Sequence, residues 1–420
     1  MTLTQWKSKS LGYILEKVVG GGTPSKAKPQ YWDGDIPWAS VKDLSSTKLD
    51  DTADKISEEG LNNSASNLIP AETIVIPTRM ALGKVAITTQ AMAINQDLKA
   101  LFPSKEVCKS YLFQWLIFHA EQIASLGSGS TVKGIRLEQL KKIPFSYPTL
   151  KEEQQKIAEI LSTVDKKIDL IDQKIAETEK LKTGLMQKLF SEGVGVQDEN
   201  GNWQPHTEFQ DSPFGKIPKC WLKVSLENIA SVERGKFSAR PRNDPKYFDG
   251  NIPFVQTGDV VSAQLYVESY SQTLNELGLT VSKTFPPETI LITIAANIGD
   301  VAITQFPLAC PDSLVGIQAK KDICNSLWLF FFMQTQKSEL DSKATKSAQK
   351  NINLQVLKPL TVFLPPLEEQ EFIAEILLAS EKKTALLKQQ KTETQQLKKG
   401  LMQKLLTGEW RVPVEETEAA

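Results

Sequence analysis

Several stretches of this 420-residue chain set lysine and arginine among small polar residues, with no carboxylate beside them. From Gln122 to Leu137 the ionisable side chains are Lys133 and Arg136, in SLGSGSTVKGIR with Ser130 and Thr131. Thr73 to Gln96 carries Arg79 and Lys84, with Thr78 next to the arginine. Ser342 to Leu367 carries Lys343, Lys346, Lys350 and Lys358 around Gln349. Lys26 and Lys28 lie in SKAKPQYW, and Arg234, Lys236, Arg240, Arg242 and Lys246 in RGKFSARPRNDPKYF, where Asp244 is the one acid. Such cations bind phosphate oxygens, and hydroxyl and amide side chains, Asn297 among them, hydrogen-bond base edges. The chemistry is recognition of a nucleic acid rather than bond making. One such loop alone is more often simply solvated; the weight comes from their recurrence.

The bulk composition leaves room for that reading. A net charge of −1 with 24 % charged and 40 % hydrophobic residues is that of a globular protein, not of a chain that coats nucleic acid by bulk attraction. Four scattered cysteines without CxxC spacing and two histidines, His119 and His206, argue against a zinc site or a disulfide framework. His119, in WLIFHA, reads as a core residue. The N-terminus lacks a signal-peptide core, and no apolar run approaches the ~20 residues that span a bilayer, so a cytoplasmic protein without membrane or metal is expected.

The elements that must position these loops occur twice. GLMQKLFSEG from Gly184 matches GLMQKLLTGE from Gly400, an offset of 216 (400 − 184 = 216). EEQQKIAEIL from Glu152 and EEQEFIAEIL from Glu368, GKVAIT from Gly83 and GDVAIT from Gly299, and PQYWDGDIPW from Pro29 and PKYFDGNIPF from Pro245 keep the same offset. A tandem duplication of a large unit follows. Each unit opens with β-branched runs such as TIVIPT and TILITIA, Gly/Pro punctuation and a helix (Ser110 to Ala124; Ser326 to Gln336), which predict a compact mixed α/β domain. The aromatic residues Trp32, Trp38, Tyr247, Phe248 and Phe254 read as packing beside the Ile-Pro turns.

Each unit closes with about 40 proline-free residues. Ile157, Leu161, Val164, Ile168, Ile171 and Ile175 step by four and three, a heptad seam that Leu185 and Leu189 continue after a small slip through Leu181. In the second copy Ile373, Leu377, Leu387, Leu397, Leu401 and Leu405 carry the stripe, and Ser380, Thr384 and Lys391 weaken it. Paired antiparallel, the strong stretches meet at both ends of helices about 60 Å long. The expected fold is mixed α/β (α+β) recognition domains, two copies in a pseudo-two-fold arrangement, joined by two long antiparallel coiled-coil helices. The expected boundaries are 1–148 for the first domain, 149–192 for its helix, 193–212 for a linker, 213–365 for the second domain, 366–407 for its helix and 408–420 for a tail. Two similar but non-identical domains on a stiff spacer suit an asymmetric, bipartite DNA site. A rival of another class is a non-catalytic coiled-coil assembly protein whose paired domains bind proteins or RNA.

GGTPSK, DGDIPW, GKVAIT followed by INQDL, SGSTVKGI, the helix start PTLKEEQQKIAEIL, DSPFGKIPKCW and the ending LMQKLLTGEWRV make the chain resemble the specificity subunit of type I restriction-modification systems. The resemblance covers nearly the whole chain and implies target-recognition domains alternating with long helices. It also implies no catalytic activity and no cofactor of the subunit's own. The implied partners are double-stranded DNA, two methyltransferase (modification) subunits that use S-adenosylmethionine to methylate adenines, and ATP-dependent translocase and nuclease (restriction) subunits. The second copy departs from the pattern, with ATKSAQKNIN where the first has GSGSTVKGIR and CPDSLVGI where the first has INQDLKAL. Consistently, the chain has neither an Asp/Asn-Pro-Pro-aromatic motif for a flipped adenine nor a P-loop.

Overall fold

The computed structural model describes residues 5–128, 133–212, 215–344 and 351–414. It divides into two compact units, Met1–Asp172 with Gln389–Ala420, and Gln173–Lys388. In the first, a five-stranded sheet runs in the order Leu15–Gly20, Leu98–Pro103, Ile74–Pro77, Ala86–Thr88, Lys48–Leu49. Its pairs are antiparallel except the last, which is parallel. The β-branched run Ile74–Pro77 is buried at every position, as a strand covered on both faces must be. A four-stranded sheet (Asp54–Ile56, Ile36–Ala39, Met92–Ile94, Asn67–Ile69) and the pair Trp6–Ser10 with Pro144–Pro148 complete it.

The second unit repeats this order. Its five-stranded sheet runs Ala230–Arg234, Leu314–Ala319, Ile290–Thr293, Val301–Thr304, Tyr266–Val267, again with only the last pair parallel. Its four-stranded sheet is Gln272–Leu274, Phe248–Phe254, Leu308–Ala309, Thr284–Phe285, and Leu222–Ser225 pairs with Thr361–Leu364. The segment between the copies carries structure of its own. Val196–Gln197 pairs with Trp203–Gln204, and Phe209–Ser212 pairs with Gly215–Pro218.

The helix expected from Ser110 to Ala124 is two helices, Lys109–Phe118 and Ala120–Ser125. His119 breaks it, at φ −92° and ψ 14°. The Trp115 carbonyl accepts both the His119 backbone N–H, at 3.0 Å, and the ring Nδ1–H, at 2.9 Å. That ring stacks on Trp115, with centroids 3.8 Å apart, so His119 is the packing residue its sequence context suggests.

Two long helices carry the heptads, α1 (Lys151–Leu189) and α2 (Leu367–Leu406). Each is shared between the units. In the first, Asp165 pairs with Lys398 and Asp172 with Lys391, both at 2.6 Å, so sequence number rises along α1 as it falls along α2. In the second, Glu179 pairs with Lys388 and Glu381 with Lys182, the same antiparallel register. Ile157 and Leu161 share one core with Leu405 and, at its edge, Leu401, while Leu189, Ile373 and Leu377 share another with Leu185 at its edge. Val164, Ile168 and Ile175 are half-buried along the seam, and Ile171 and Leu387 are buried.

One part of the expected seam is corrected. Leu397 is 55 % exposed and Leu181 57 %, and there is no slip. The alternation of four and three continues through Thr178 and Lys182 to Leu185, and through Lys391, Thr394 and Lys398 to Leu401. Thr178 and Thr394 are buried, and Lys182 and Lys398 lay their alkyl stems along the seam with their amines paired to Glu381 and Asp165. Four-residue steps onto the leucines would break the knobs-into-holes period. A lysine that both packs its stem and pairs its charge keeps it.

Candidate nucleic-acid interface

In the first unit the strand Ile74–Pro77 runs out into the loop Thr78–Lys84, and the backbone bonds around that loop fix its shape. The Ile135 N–H donates to Thr78 O at 2.9 Å, and the Met80 N–H to Lys133 O at 3.0 Å. Arg79 bridges Gly134, so the loop and the Lys133–Arg136 stretch lie side by side. Met80 sits at φ +63° and Gly83 at φ +88°. At Gly83 a Cβ would fall 2.4 Å from Ala120 O, which explains the glycine of GKVAIT.

On this frame Arg79, Lys133 and Arg136 are exposed together. Arg79 is held loosely, 3.9 Å from Asp97 Oδ1 with 66 % of its side chain exposed, a pair too weak to withhold it from a phosphate. Lys84 is exposed but tied down, its amine donating to Leu44 O at 2.7 Å. Thr78 is corrected: it is buried, and its hydroxyl donates to Asp97 O at 3.1 Å, so it shapes the loop instead of facing a ligand. Ser130 and Thr131 lie outside the described residues.

Lys26 and Lys28 are exposed on the segment after Gly22, whose N–H donates to Ile94 O at 3.1 Å. Thr23 Oγ1 donates to Gln96 Oε1, so this segment leaves from the edge that holds Asp97. Lys28 is turned onto Tyr31, its amine 2.8 Å from the phenol oxygen. The structure adds a cation that the motif reading missed. Lys99 donates to Gln96 O at 2.7 Å, and burial lowers its pKa, with Asp97 opposing and Arg79 assisting. Its signal was the polar position in the alternating strand LKALFP.

The second unit has the same loop and different side chains. Ile352 N–H donates to Ile294 O at 3.0 Å, Ala295 bridges Asn351, and Ala296 and Gly299 take φ +63° and +86°. Ala295 and Asp300 stand where the first copy has Arg79 and Lys84. Asp300 pairs with Lys337 at 2.5 Å, and the loop borders an open cavity of about 550 Å³ lined by Asn297, Gln334, Lys337 and Ser338. Asn297 is exposed there.

The cations of this copy sit elsewhere. Arg240, Arg242 and Lys246 are exposed on the segment leading to Phe248. Arg242 pairs with Asp312 at 2.9 Å and Lys246 with Asp244 at 3.0 Å, while the Arg240 guanidinium donates to Ala239 O at 2.7 Å. Lys343 is exposed beside Glu339. Lys346, Gln349 and Lys350 lie outside the described residues.

The EEQ motif at each helix start anchors the helix to its domain, a role unread in the sequence although the motif was its most specific repeat. Gln154 accepts from the Cys108 N–H at 2.7 Å and donates to Glu106 O and Pro148 O. Gln370 accepts from Asn325 N–H at 2.9 Å and donates to Ile323 O and Pro365 O. Buried Glu153 receives the Arg411 guanidinium in a fork at 2.8 and 2.9 Å. Buried Glu369 accepts from the Val194 and Gly195 N–H groups, His206 Nε2–H and Trp221 Nε1–H.

Among the described residues no His, Cys, Asp and Glu cluster could hold a metal ion, and no helix is long and apolar enough to cross a membrane.

A family model described as the type I restriction modification DNA specificity domain matches residues 4–180 and again 218–396. The chain is 28 % identical over 422 residues to a putative type I restriction enzyme MjaX specificity subunit of Methanocaldococcus jannaschii, covering 97 % of this chain and 94 % of that one. It is 31 % identical over 282 residues to the MjaIX specificity subunit of the same organism, covering 65 % and 62 %. Its fold is similar to the crystal structure of a type I restriction-modification S subunit from M. genitalium, with a TM-score of 0.59, 15 % identity and 96 % of each chain covered. A structure solved in work on complex assembly and conformational transition of the type I system gives a TM-score of 0.60 at 16 % identity, covering 98 % of this chain and all of that one.

Proposed function

We propose that this chain, which belongs to the type I restriction-modification DNA specificity family, reads an asymmetric bipartite DNA site, one half with each copy of its recognition domain. The chain is a specificity subunit, not a catalyst. The observation that carries the bipartite reading is the pair of loops Thr78–Lys84 and Ile294–Asp300, alike in backbone and unlike in side chains. A duplicated frame with exchanged side chains suits two different base sequences, since base edges are told apart by side chains and phosphates are not.

In this reading the recognition domains are residues 1–148 and 213–365. Their exposed cations, Arg79, Lys133 and Arg136 in one and Arg240, Arg242 and Lys246 in the other, contact phosphates. Helices α1 and α2 set the gap between the half-sites and offer their outer faces to two methyltransferase subunits and, through them, to the restriction subunits, in the cytoplasm. The anchoring of each helix start by Gln154 and Gln370 supports this, because a spacer transmits a distance only if its ends are fixed to the readers.

Co-expression with the neighbouring methylase gene, followed by mapping of methylated adenines across a genome, tests the reading. The expected result is one bipartite motif. Replacing residues 1–148 by the equivalent of another family member should change one half of that motif, and inserting four residues before Gly184 should lengthen its gap. No motif, or a change in both halves, overturns the proposal.

A further inference from the structure

We infer that Met80 reads the 5-methyl group of a thymine in the half-site recognised by the first copy. This rests on the reading above and assigns a base contact within it. Met80 is 58 % exposed in its loop, an apolar side chain next to Arg79 on a backbone bonded to Lys133. Its backbone is in the left-handed region at φ +63°, which a side-chain-bearing residue enters only when its surroundings impose it. Here they do: Met80 N–H donates to Lys133 O, and Met80 O accepts from the Leu82 N–H, each at 3.0 Å.

Among the described residues, no hydrophobic cluster takes up the side chain, and Leu82 and Val85 pack in this unit instead. The equivalent Ala296 takes the same φ with a single methyl, so the loop does not need a long side chain to form. A flexible thioether held out among cations offers no strong donor or acceptor. The one apolar group that a base pair presents in the major groove is the thymine methyl. Arg79 and Lys133 supply the phosphate attraction that would bring Met80 there, and the backbone bonds hold it in place on arrival.

The test uses the complex of the full chain with its methyltransferase subunits, on duplexes carrying the motif mapped above. Each thymine of the first half-site is replaced in turn by deoxyuridine, which deletes only the methyl. At one position the wild-type complex should bind about fourfold more weakly, the effect of losing one buried methyl contact. Met80→Gly, which the positive φ accommodates without strain, should bind that thymine duplex about equally weakly and be indifferent to deoxyuridine at that position. Met80→Leu should restore most of the discrimination. The genome-wide motif of Met80→Gly should relax at that base pair and keep its other half unchanged.

Wild type indifferent to every deoxyuridine, or a Met80→Gly complex that retains the deoxyuridine effect, overturns the assignment. So does uniform weakening on all sequences, the mark of a wedge or a structural role. Absence of any bipartite motif for the wild type would instead overturn the functional reading beneath it.

Discussion

The loops Thr78–Lys84 and Ile294–Asp300 both have a left-handed residue at the third position and a left-handed glycine at the sixth, and each is joined to a neighbouring segment by a single β-bridge, Arg79 to Gly134 and Ala295 to Asn351. Their surfaces are opposites. The first copy presents Arg79 and a protruding Met80; the second presents two alanines, an acid paired to Lys337, and a cavity of about 550 Å³. The backbone hydrogen bonds that shape the loop do not involve the side chains that differ, so the frame survives exchange of its surface. Recognition can therefore diverge between copies without a cost in folding.

The helix starts teach the same lesson with charge. Glu369 gathers two backbone N–H groups, an imidazole and an indole, whereas on Glu153 the Arg411 guanidinium makes a two-pronged fork. Substituting both to alanine should separate the copies most. Glu369→Ala leaves several buried donors unpaired and should destabilise its unit by about 4 kcal/mol. Glu153→Ala should cost about 2 kcal/mol, because Arg411 is one-quarter exposed and can turn to water. Urea unfolding followed by limited proteolysis of each unit checks the order, and equal losses would show that the two carboxylates do the same structural work.

The loop glycines give a smaller contrast. At Gly83 a Cβ meets backbone at 2.4 Å, while at Gly299 the closest atom, Lys337 Cα, is at 3.0 Å. Gly83→Ala should cost about 2 kcal/mol and Gly299→Ala about 1 kcal/mol, measured by thermal unfolding. Similar values would mean that the positive φ, common to both, outweighs the contact.

The helix glycines should show no contrast. Gly184 and Gly400 are exposed inside α1 and α2, and a Cβ there meets nothing within 4 Å. Either alanine variant should gain about 1 kcal/mol. A stabilised chain that still assembles with its partner subunits would show that these positions are free in the complex as well.

The pH dependence of the first unit should carry a still smaller signature, from His119. Burial holds its imidazole below the usual histidine pKa, with the Trp115 carbonyl opposing. Its contribution to stability is thus complete above pH ~6.5 and lost as pH falls through the depressed folded value. His119→Gln should flatten that acid limb in the first unit, as read by unfolding midpoints between pH 7 and 5.

Much of this was legible without coordinates, because repetition and periodicity are properties of the sequence. The offset of 216 announced two copies, the heptads announced paired helices, and the β-branched runs TIVIPT and TILITIA announced strands that are indeed buried throughout. Periodicity was less secure where polar residues take apolar places. Thr178, Lys182, Thr394 and Lys398 hold the seam because an antiparallel partner brings Glu381 and Asp165 to the lysines, and composition along one helix carries no information about its partner's charges.

The candidate interface divides the same way. Residue type identified the cations, and the structure leaves Arg79, Lys133, Arg136, Arg240, Arg242 and Lys246 at the surface. It withdrew Thr78, whose hydroxyl the distant Asp97 carbonyl claims, and it showed Lys99 beside Gln96 and an exposed Met80 at positive φ, placements that depend on backbone dihedrals and on neighbours far along the chain. The sequence by itself determined the duplication, the element types and the residues able to meet a polyanion, since these follow from side-chain chemistry and spacing. Only the tertiary structure decided which of those side chains are free to do so, because each hydrogen bond made within the fold removes a donor or acceptor from anything outside it.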